Sequence, residues 1–222
     1  MGVELNQASA AAARTFVEAE SVLGWSVLSL CADGPMERLT ATEFLQPALL
    51  TVSVAAQRAL AERLPAGFRP VAALGHSLGE FAALVCAEAL SFADALRLVE
   101  ERGRAMAEAL PAGSGAMAAV IGLEAEVVEE ACADFSGQSG RVLSVANYNA
   151  PRQIVISGES SMVKEARPLL KAAGAKGVIP LKVSAPFHCS LMAPAAERLS
   201  AALAKVDLAT PRTAVLSNVS GT

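Results

Sequence analysis

A Gly-His-Ser-Leu-Gly pentapeptide at residues 75–79 restricts the fold of this 222-residue chain more than any other feature. It follows a short apolar segment at residues 70–75, which is typical of a buried strand, and it precedes helical apolar spacing at residues 78–88. A G-x-S-x-G pattern between a strand and a helix indicates a sharp turn whose small residues let the two elements approach closely. We therefore expect an α/β protein in which Ser77 projects from the carboxyl edge of a parallel sheet.

A second pattern begins after the Pro-Ala-Gly-Ser-Gly segment at residues 111–115. The apolar spacing predicts, in order, a strand, a helix, two strands, a helix and a strand at residues 116–121, 124–135, 142–146, 153–157, 161–173 and 177–183. This βαββαβ order is the ferredoxin-like arrangement, in which two helices cover one face of a four-stranded antiparallel sheet. We expect a small ferredoxin-like subdomain, residues 113–181, inserted into a large α/β-hydrolase-like subdomain made of residues 1–112 and 182–222.

The large subdomain is predicted to be mainly helical elsewhere, with helices at residues 8–23, 47–64, 92–110 and 194–206 and a last strand at 214–218. Pro47 fits the first position of its helix, because its fixed φ suits a helix and its missing N–H would have no partner there. Ser91 and Asp94 resemble a capping box that starts the next helix.

Charge and composition exclude several classes of protein. The net charge is −4 and no basic run occurs, which argues against a nucleic-acid partner. No apolar stretch approaches the length of about 18 residues that a membrane span needs, and the first residues lack the pattern of a secretory signal. The four cysteines are scattered without metal-binding spacing, which favours a reducing, cytoplasmic location.

Ser77 is the candidate nucleophile of the pentapeptide. On the predicted turn its Oγ would be exposed, and the N-terminus of the following helix would supply positive potential and N–H groups. The N–H of Leu78 is then the natural donor to a developing oxyanion. The alternative is an ordinary serine in a glycine-flanked turn, because five-residue patterns also occur by chance. The strand–turn–helix context favours catalysis.

A serine nucleophile needs a proton acceptor, and the chain contains two histidines, His76 and His188. His76 adjoins Ser77, and neighbouring side chains diverge at a strand-to-turn junction, which leaves His188 as the candidate base. The alternative for His188 is a packed or surface histidine. No acidic partner is evident, since Asp94 is expected to cap a helix and Glu80 to lie on a solvated face. A backbone carbonyl or an amide would then orient His188.

Five motifs occur in order along the chain. They are Gly-His-Ser-Leu-Gly-Glu, Val-Glu-Glu-Arg-Gly-Arg-Ala-Met, Gly-Ser-Gly-Ala-Met-Ala-Ala-Val-Ile-Gly, Asn-Tyr-Asn-Ala-Pro-Arg-Gln-Ile-Val-Ile-Ser-Gly and Val-Ser-Ala-Pro-Phe-His, at residues 75–80, 99–106, 113–122, 147–158 and 183–188. Together they resemble the bacterial malonyl-CoA:acyl carrier protein transacylases and the acyltransferase domains of polyketide synthases. The resemblance covers essentially the whole chain, and spaced motifs in order are more specific than one pentapeptide.

The resemblance implies a ping-pong reaction. Ser77 would take a malonyl group from malonyl-CoA as an ester and pass it to the phosphopantetheine thiol of an acyl carrier protein, in fatty acid or polyketide biosynthesis. His188 would be the base. Arg102 would pair with the malonyl carboxylate through its planar guanidinium fork, a role that its position alone would not assign. The implied chemistry needs no metal and no bound cofactor, and we expect a monomer.

Other residues would shape the binding site by the same resemblance. Leu78 and Met106 would line the acyl pocket. Phe187 would leave little room for an α-methyl group, as in malonyl-preferring members. Asn147 and Asn149 would lie near the cleft between the subdomains, although turn chemistry before the following proline is the alternative for both.

The family's pattern also extends beyond both ends of this sequence. It begins with a strand and a Gly-Gln-Gly-Ser-Gln loop that supplies a second oxyanion N–H, and Met1 lines up just after that loop. It continues past Thr222 with a segment whose backbone carbonyl orients the histidine. We therefore expect the 222 residues to be a partial sequence of a longer protein.

Two other functions stay open on the residues alone. One is a serine esterase or thioesterase of the α/β-hydrolase type, which expects an acidic residue before the histidine and no ferredoxin-like insert. The other is a non-catalytic fragment that docks a carrier protein. Hydrolysis of neutral esters would mark the first, and carrier binding that survives the loss of Ser77 would mark the second.

Overall fold

The computed structural model describes residues 1–183 and 185–222, so Ser184 of the Val-Ser-Ala-Pro-Phe-His motif lies outside the described residues. These residues form two compact units, the first made of Met1–Arg104 with Leu199–Thr222 and the second of Ala105–Arg198. The helices in the described ranges are α1 Val3–Ala8, α2 Ala10–Leu23, α3 Val27–Asp33, α4 Met36–Thr40, α5 Thr42–Ala61, α6 Gly79–Cys86, α7 Phe92–Glu108, α8 Ala125–Ser139, α9 Ser160–Ala172 and α10 Ala193–Leu203. The strands there are β1 Ala72–Leu74, β2 Gly115–Ile121, β3 Leu143–Ala150, β4 Gln153–Glu159, β5 Gly177–Pro180 and β6 Ala214–Leu216.

The elements predicted around the pentapeptide are confirmed, because β1 precedes it and α6 follows it. The predicted start of α7 is also confirmed. The Ser91 Oγ accepts a hydrogen bond from the Asp94 N–H at 3.0 Å, and it donates to the Asp94 carboxylate at 2.6 Å. Ser91 therefore satisfies one of the N–H groups that a helix start leaves without an intrahelical partner.

The first unit contains three short helices that the apolar spacing did not predict, namely α1, α3 and α4. A serine separates the first of these short helices from α2. Ser9 ends α1, and its Oγ accepts a hydrogen bond from the Ala12 N–H at 3.1 Å, which begins α2. Helices of so few residues carry too little periodicity to be read from sequence. None of the helices in the described ranges is long and apolar enough to cross a bilayer.

The predicted start of α5 is wrong, because the helix begins at Thr42 and Pro47 lies inside it. The extra first turn is held by side chains: Gln46 Nε2 donates to Thr42 Oγ1 at 2.8 Å, and both residues are buried. The Phe44 ring also packs edge-on against Trp25, with centroids 5.4 Å apart. These contacts stabilise the turn although Pro47 cannot donate a backbone hydrogen bond.

The core of the first unit lies between helices, where the apolar faces of α2, α5 and α7 meet. Its most buried large side chains include Leu50, Val54, Leu96 and Val99. In the described part of this unit β1 pairs in parallel with β6, from Ala72 opposite Ala214 to Leu74 opposite Leu216. The predicted parallel sheet is thus present, and the pentapeptide leaves its carboxyl edge.

The second unit carries the predicted ferredoxin-like arrangement. Its four described strands lie in the order β3-β4-β2-β5, and each neighbouring pair is antiparallel. Alternate residues of the strands share a core with α8 and α9, as period-2 patterning requires; they include Ala118, Val120, Ile154, Ile156 and Val178. All four strands fall within residues 113–181, and that range as a separate subdomain stays a prediction.

Cys132 of α8 belongs to this core. Burial raises the pKa of its thiol to about 11, so the thiol stays protonated near neutral pH and packs as a small apolar group. Cys132 is therefore an apolar core residue of the second unit.

Gly103 of α7 lies against the start of α5 in the first unit. A Cβ added at Gly103 would stand 2.6 Å from the Thr42 carbonyl oxygen and 2.7 Å from the Glu43 Cα. Such distances are far below van der Waals contact, so the two helix backbones approach as closely as only glycine permits. This approach brings the side chain that precedes Gly103 within reach of α5.

We expect Gly103→Ala to lower the free energy of unfolding by about 1–3 kcal/mol, because the clash outweighs the better helix propensity of alanine. Gly137→Ala is the matched control. Gly137 also lies within a helix, but a Cβ added there meets no heavy atom within 4 Å. That control is expected to raise stability by up to about 1 kcal/mol. Urea denaturation measures both changes, and equal effects would contradict the close packing of α5 and α7.

Candidate active site

The turn between β1 and α6 holds Ser77 in a strained conformation. Its φ is +53°, in the left-handed region that residues with a Cβ rarely adopt. A Cβ added at Gly75 would stand 2.0 Å from both the carbonyl carbon and the oxygen of Gly79, so a side chain at Gly75 cannot be accommodated. The pentapeptide therefore has the geometry of a nucleophile elbow, with Ser77 at its apex, and the nucleophilic role of Ser77 stays a prediction.

The hydroxyl of Ser77 meets a guanidinium. Arg102 of α7 donates from Nη2 to Ser77 Oγ at 3.0 Å. Its other terminal nitrogen, Nη1, donates to Gln46 Oε1 at 2.6 Å. The structure thus brings together Ser77 and Arg102, two site residues expected from the sequence. It adds Gln46, which was not among the expected site residues.

Gln46 is oriented by the same contact that extends α5. Its Nε2 donates to Thr42 Oγ1, which leaves Oε1 to face Arg102. Gln46 is only 6% exposed, so its amide is held by packing as well as by hydrogen bonds. The guanidinium is consequently fixed at one terminal nitrogen, while the other donates to Ser77 Oγ.

Burial dominates the electrostatics of Arg102. It lowers the pKa of the guanidinium, and the carboxylate of Glu80 in the first turn of α6 acts in the opposite direction. An arginine stays protonated even when its pKa falls moderately. The site therefore keeps a positive charge next to Ser77 Oγ. Glu80, which was expected on a solvated face, is half-buried, and its carboxylate stabilises the charged form of Arg102.

Leu78 follows Ser77 and is the N-cap residue of α6. The first N–H groups of a helix have no intrahelical partner, and they carry the positive end of the helix dipole. The Leu78 side chain is half-buried against the core of the first unit, and it also lines a cavity of about 210 Å³ beside the elbow, together with His76. An oxyanion donor at Leu78 agrees with this position and stays a prediction.

Asn218 also contacts the elbow, and sequence reasoning missed it. Its Oδ1 accepts a hydrogen bond from the Ser77 N–H at 2.6 Å, and its Nδ2 donates to the Gly75 carbonyl. Asn218 lies 141 residues from Ser77 along the chain, just after β6. Gln46 was missed for a different reason: its spacing from Thr42 is a helical signal only if α5 begins five residues before Pro47.

Two of the residues expected to shape the acyl pocket share one cluster in the second unit. Met106 is buried there, and Phe187 is half-buried against the same cluster, whose other buried members are Ala105, Ala185, Met192 and Ala195. The structure therefore places Met106 and Phe187 in one apolar cluster, and their roles in an acyl pocket stay predictions.

The remaining candidates of the second unit are more exposed. His188 is exposed and has a φ of +59°, so it too occupies the left-handed region. Asn147 of β3 is half-buried opposite Val155, where the register shifts, and Asn149 near the end of that strand is exposed. The roles of His188, Asn147 and Asn149 stay predictions.

Curated relatives extend beyond this chain. The malonyl CoA-acyl carrier protein transacylase of Escherichia coli strain K12 is 48% identical over 205 residues, which are 92% of this chain and 65% of that protein. The chain therefore spans about 65% of the length of this relative.

Solved structures match the fold over nearly the whole chain. The malonyl CoA-acyl carrier protein transacylase of Coxiella burnetii has a TM-score of 0.94 at 44% identity, covering 98% of this chain and 68% of that one. A type II polyketide synthase acyl-carrier protein in complex with its malonyl-transacylase gives a TM-score of 0.95 at 44% identity, covering 100% of this chain and 71% of that one.

A family model described as an acyl transferase domain matches residues 1–222. The chain belongs to the acyl transferase domain family.

Proposed function

We propose that this chain carries the acyl-transfer site of a malonyl-CoA:acyl carrier protein transacylase. The observation that supports this most is the hydrogen bond from the Arg102 guanidinium to Oγ of Ser77 on the strained elbow. The names of the relatives agree with it, since the Escherichia coli and Coxiella burnetii proteins are malonyl CoA-acyl carrier protein transacylases.

The substrate class follows from the charge beside the nucleophile. A guanidinium presents a planar fork of N–H donors that matches a carboxylate in a bidentate pair. Arg102 is held in place by Gln46 and is partly shielded from water, so its attraction for an anion is stronger than at an exposed site. An acyl group with a free carboxylate a short distance from its carbonyl, as in malonyl, therefore fits better than acetyl.

The reaction proceeds in two half-reactions. Ser77 Oγ attacks the thioester carbonyl of malonyl-CoA, the C–S bond breaks, and the serine proton passes through the base to the departing coenzyme A thiolate. In the second half the phosphopantetheine thiol of the carrier protein attacks the Ser77 ester, the ester C–O bond to Ser77 breaks, and the proton of that thiol passes through the base to Ser77 Oγ. The Leu78 N–H stabilises the oxyanion of each tetrahedral intermediate. Only ester and thioester bonds form and break, so the reaction needs no oxidant or reductant.

We assign the base to His188 on sequence grounds, because His76 adjoins the nucleophile and the chain has no third histidine. We assign acyl selection to Met106 and Phe187, since they share one cluster. We place Asn147 and Asn149 near the bound thioester by the family resemblance alone.

The wider setting is proposed with the same function. The partners are a coenzyme A thioester and an acyl carrier protein, the pathway is fatty acid or polyketide biosynthesis, and the protein acts as a monomer in the cytoplasm. The structure of the polyketide synthase carrier protein bound to its malonyl-transacylase supports a carrier-protein partner. The free thiols in the described ranges agree with a reducing compartment.

Brief incubation with malonyl-CoA is expected to add one malonyl group to the wild-type protein and none to Ser77→Ala, as seen by intact-mass spectrometry. Ser53→Ala is the matched control, because Ser53 lies on α5 and lines the cavity beside Leu78 and His76, but is not part of the elbow. An adduct that persists in Ser77→Ala would reject Ser77 as the nucleophile. Rapid hydrolysis of neutral esters without a malonyl adduct would favour the esterase function instead.

Arg102→Ala is expected to slow malonyl loading about 10- to 100-fold, because it removes charge-assisted hydrogen bonds worth roughly 1.5–3 kcal/mol, while acetyl loading is spared. Gln46→Ala should reduce malonyl loading less, since it only frees the guanidinium. Arg104→Ala is the control on the same helix: Arg104 is exposed and paired with Glu100 and Glu101. Loading rates for both acyl-CoA substrates decide the matter, and an equal loss for malonyl and acetyl would exclude a carboxylate-binding role.

A further inference from the structure

We propose that Asn218 is a positioning residue that holds the Ser77 elbow in its reactive conformation. The two hydrogen bonds of the Asn218 amide, to Gly75 and to Ser77, form what we call the clamp. The clamp is a property of the fold, whereas its catalytic consequence rests on the proposed acyl transfer. Three features of the first unit carry the proposal: the register of β1 with β6, the closed turn that follows β6, and the two hydrogen bonds of the Asn218 amide.

The register places Asn218 where the parallel ladder would continue. Leu74 is opposite Leu216, so residues 75 and 217, and then 76 and 218, come next. At this point β1 gives way to the elbow, and its ladder with β6 ends. The Gly75 carbonyl and the Ser77 N–H are therefore the groups that lose their ladder partners.

The side chain of Asn218 replaces those partners. A carboxamide carries the same donor and acceptor as a peptide group, and here Nδ2 donates to the Gly75 carbonyl while Oδ1 accepts from the Ser77 N–H at 2.6 Å. The amide thus bridges the residues on both sides of His76. An aspartate could accept from Ser77 but could not donate to Gly75, and alanine could do neither.

The turn after β6 fixes the backbone of Asn218. The Gly221 N–H donates to the Ser217 carbonyl at 2.9 Å, with Gly221 at a φ of +71°, and the Val219 N–H donates to Ser217 Oγ at 3.2 Å. A hydrogen-bonded turn therefore holds the backbone that presents the Asn218 side chain to the elbow. The orientation of the amide is set before the reaction starts.

The clamp counteracts strain where chemistry occurs. Ser77 has a left-handed φ, and residues in such conformations persist only when their surroundings hold them. Fixing the Ser77 N–H fixes the His76–Ser77 peptide plane, which directly precedes the Ser77–Leu78 peptide that carries the proposed oxyanion donor. Because the Ser77 N–H is already bonded to Asn218, it does not compete for the oxyanion.

Two variants test the clamp directly. In Asn218→Ala the Ser77 amide loses its acceptor, so its hydrogen exchange, followed by NMR, should accelerate at least 10-fold. In Asn218→Asp the acceptor remains and exchange should accelerate less. Ser220→Ala is the control in the same turn, because Ser220 Oγ contacts only Thr222 among the described residues, and Ser77 exchange should not change. Unchanged exchange in Asn218→Ala overturns the clamp.

The catalytic arm measures Ser77 acylation by malonyl-CoA and phosphonylation by a fluorophosphonate, which carries no malonyl group. For Asn218→Ala we expect the maximal rates of both to fall at least 10-fold, while the half-saturating malonyl-CoA concentration and the melting temperature stay near those of Ser220→Ala. Normal rates with accelerated exchange would overturn the positioning role. A wild-type protein that reacts with the fluorophosphonate but not with malonyl-CoA would reject the proposed substrate, and the fluorophosphonate rates would then decide the role of Asn218.

Discussion

The close approach of β1 to α6 is the constraint on which the rest of the site depends. Gly75 and Gly79 lie so near each other that no side chain fits at residue 75, and the chain must reverse within the two residues between His76 and α6. At that reversal Ser77 adopts a positive φ, and its Oγ accepts a hydrogen bond from Arg102. It also leaves a backbone carbonyl and an N–H without strand partners, which the Asn218 amide then binds.

A second close approach, between α7 and α5, places a positive charge beside the elbow. Gly103 lets the two helices meet backbone to backbone, so Arg102 reaches both Gln46 and Ser77. The elbow by itself fits any serine acyl-enzyme, whereas a fixed guanidinium selects acyl groups that carry a negative charge. Two glycine-dependent packing contacts in the first unit thus account for both the position of Ser77, the proposed nucleophile, and its proposed preference for malonyl.

Sequence reasoning predicted the parts of this structure that are encoded locally. The elbow and the βαββαβ order follow from short-range patterns of glycines and apolar residues, and the structure confirms both. The start of α5 was misplaced because Pro47 resembles a helix start, whereas contacts of Thr42 and Phe44 extend the helix by one turn. Gln46 lies in that turn, and for this reason it was not recognised as a site residue. Asn218 was beyond reach because its contact depends on the parallel pairing of two strands that are distant in sequence. The role of Arg102 came from resemblance alone, since an arginine on a helix is ordinarily a surface residue.

The most direct measurement is a crystal structure of the protein after reaction with malonyl-CoA. We expect an ester on Ser77 Oγ, with terminal nitrogens of Arg102 within hydrogen-bond distance of both oxygens of the malonyl carboxylate and Gln46 still bonded to the guanidinium. The contact between Arg102 and Ser77 Oγ should be replaced by that ion pair. A malonyl ester on another side chain, or one on Ser77 whose carboxylate faces solvent while Arg102 keeps its present contacts, would contradict the proposed site.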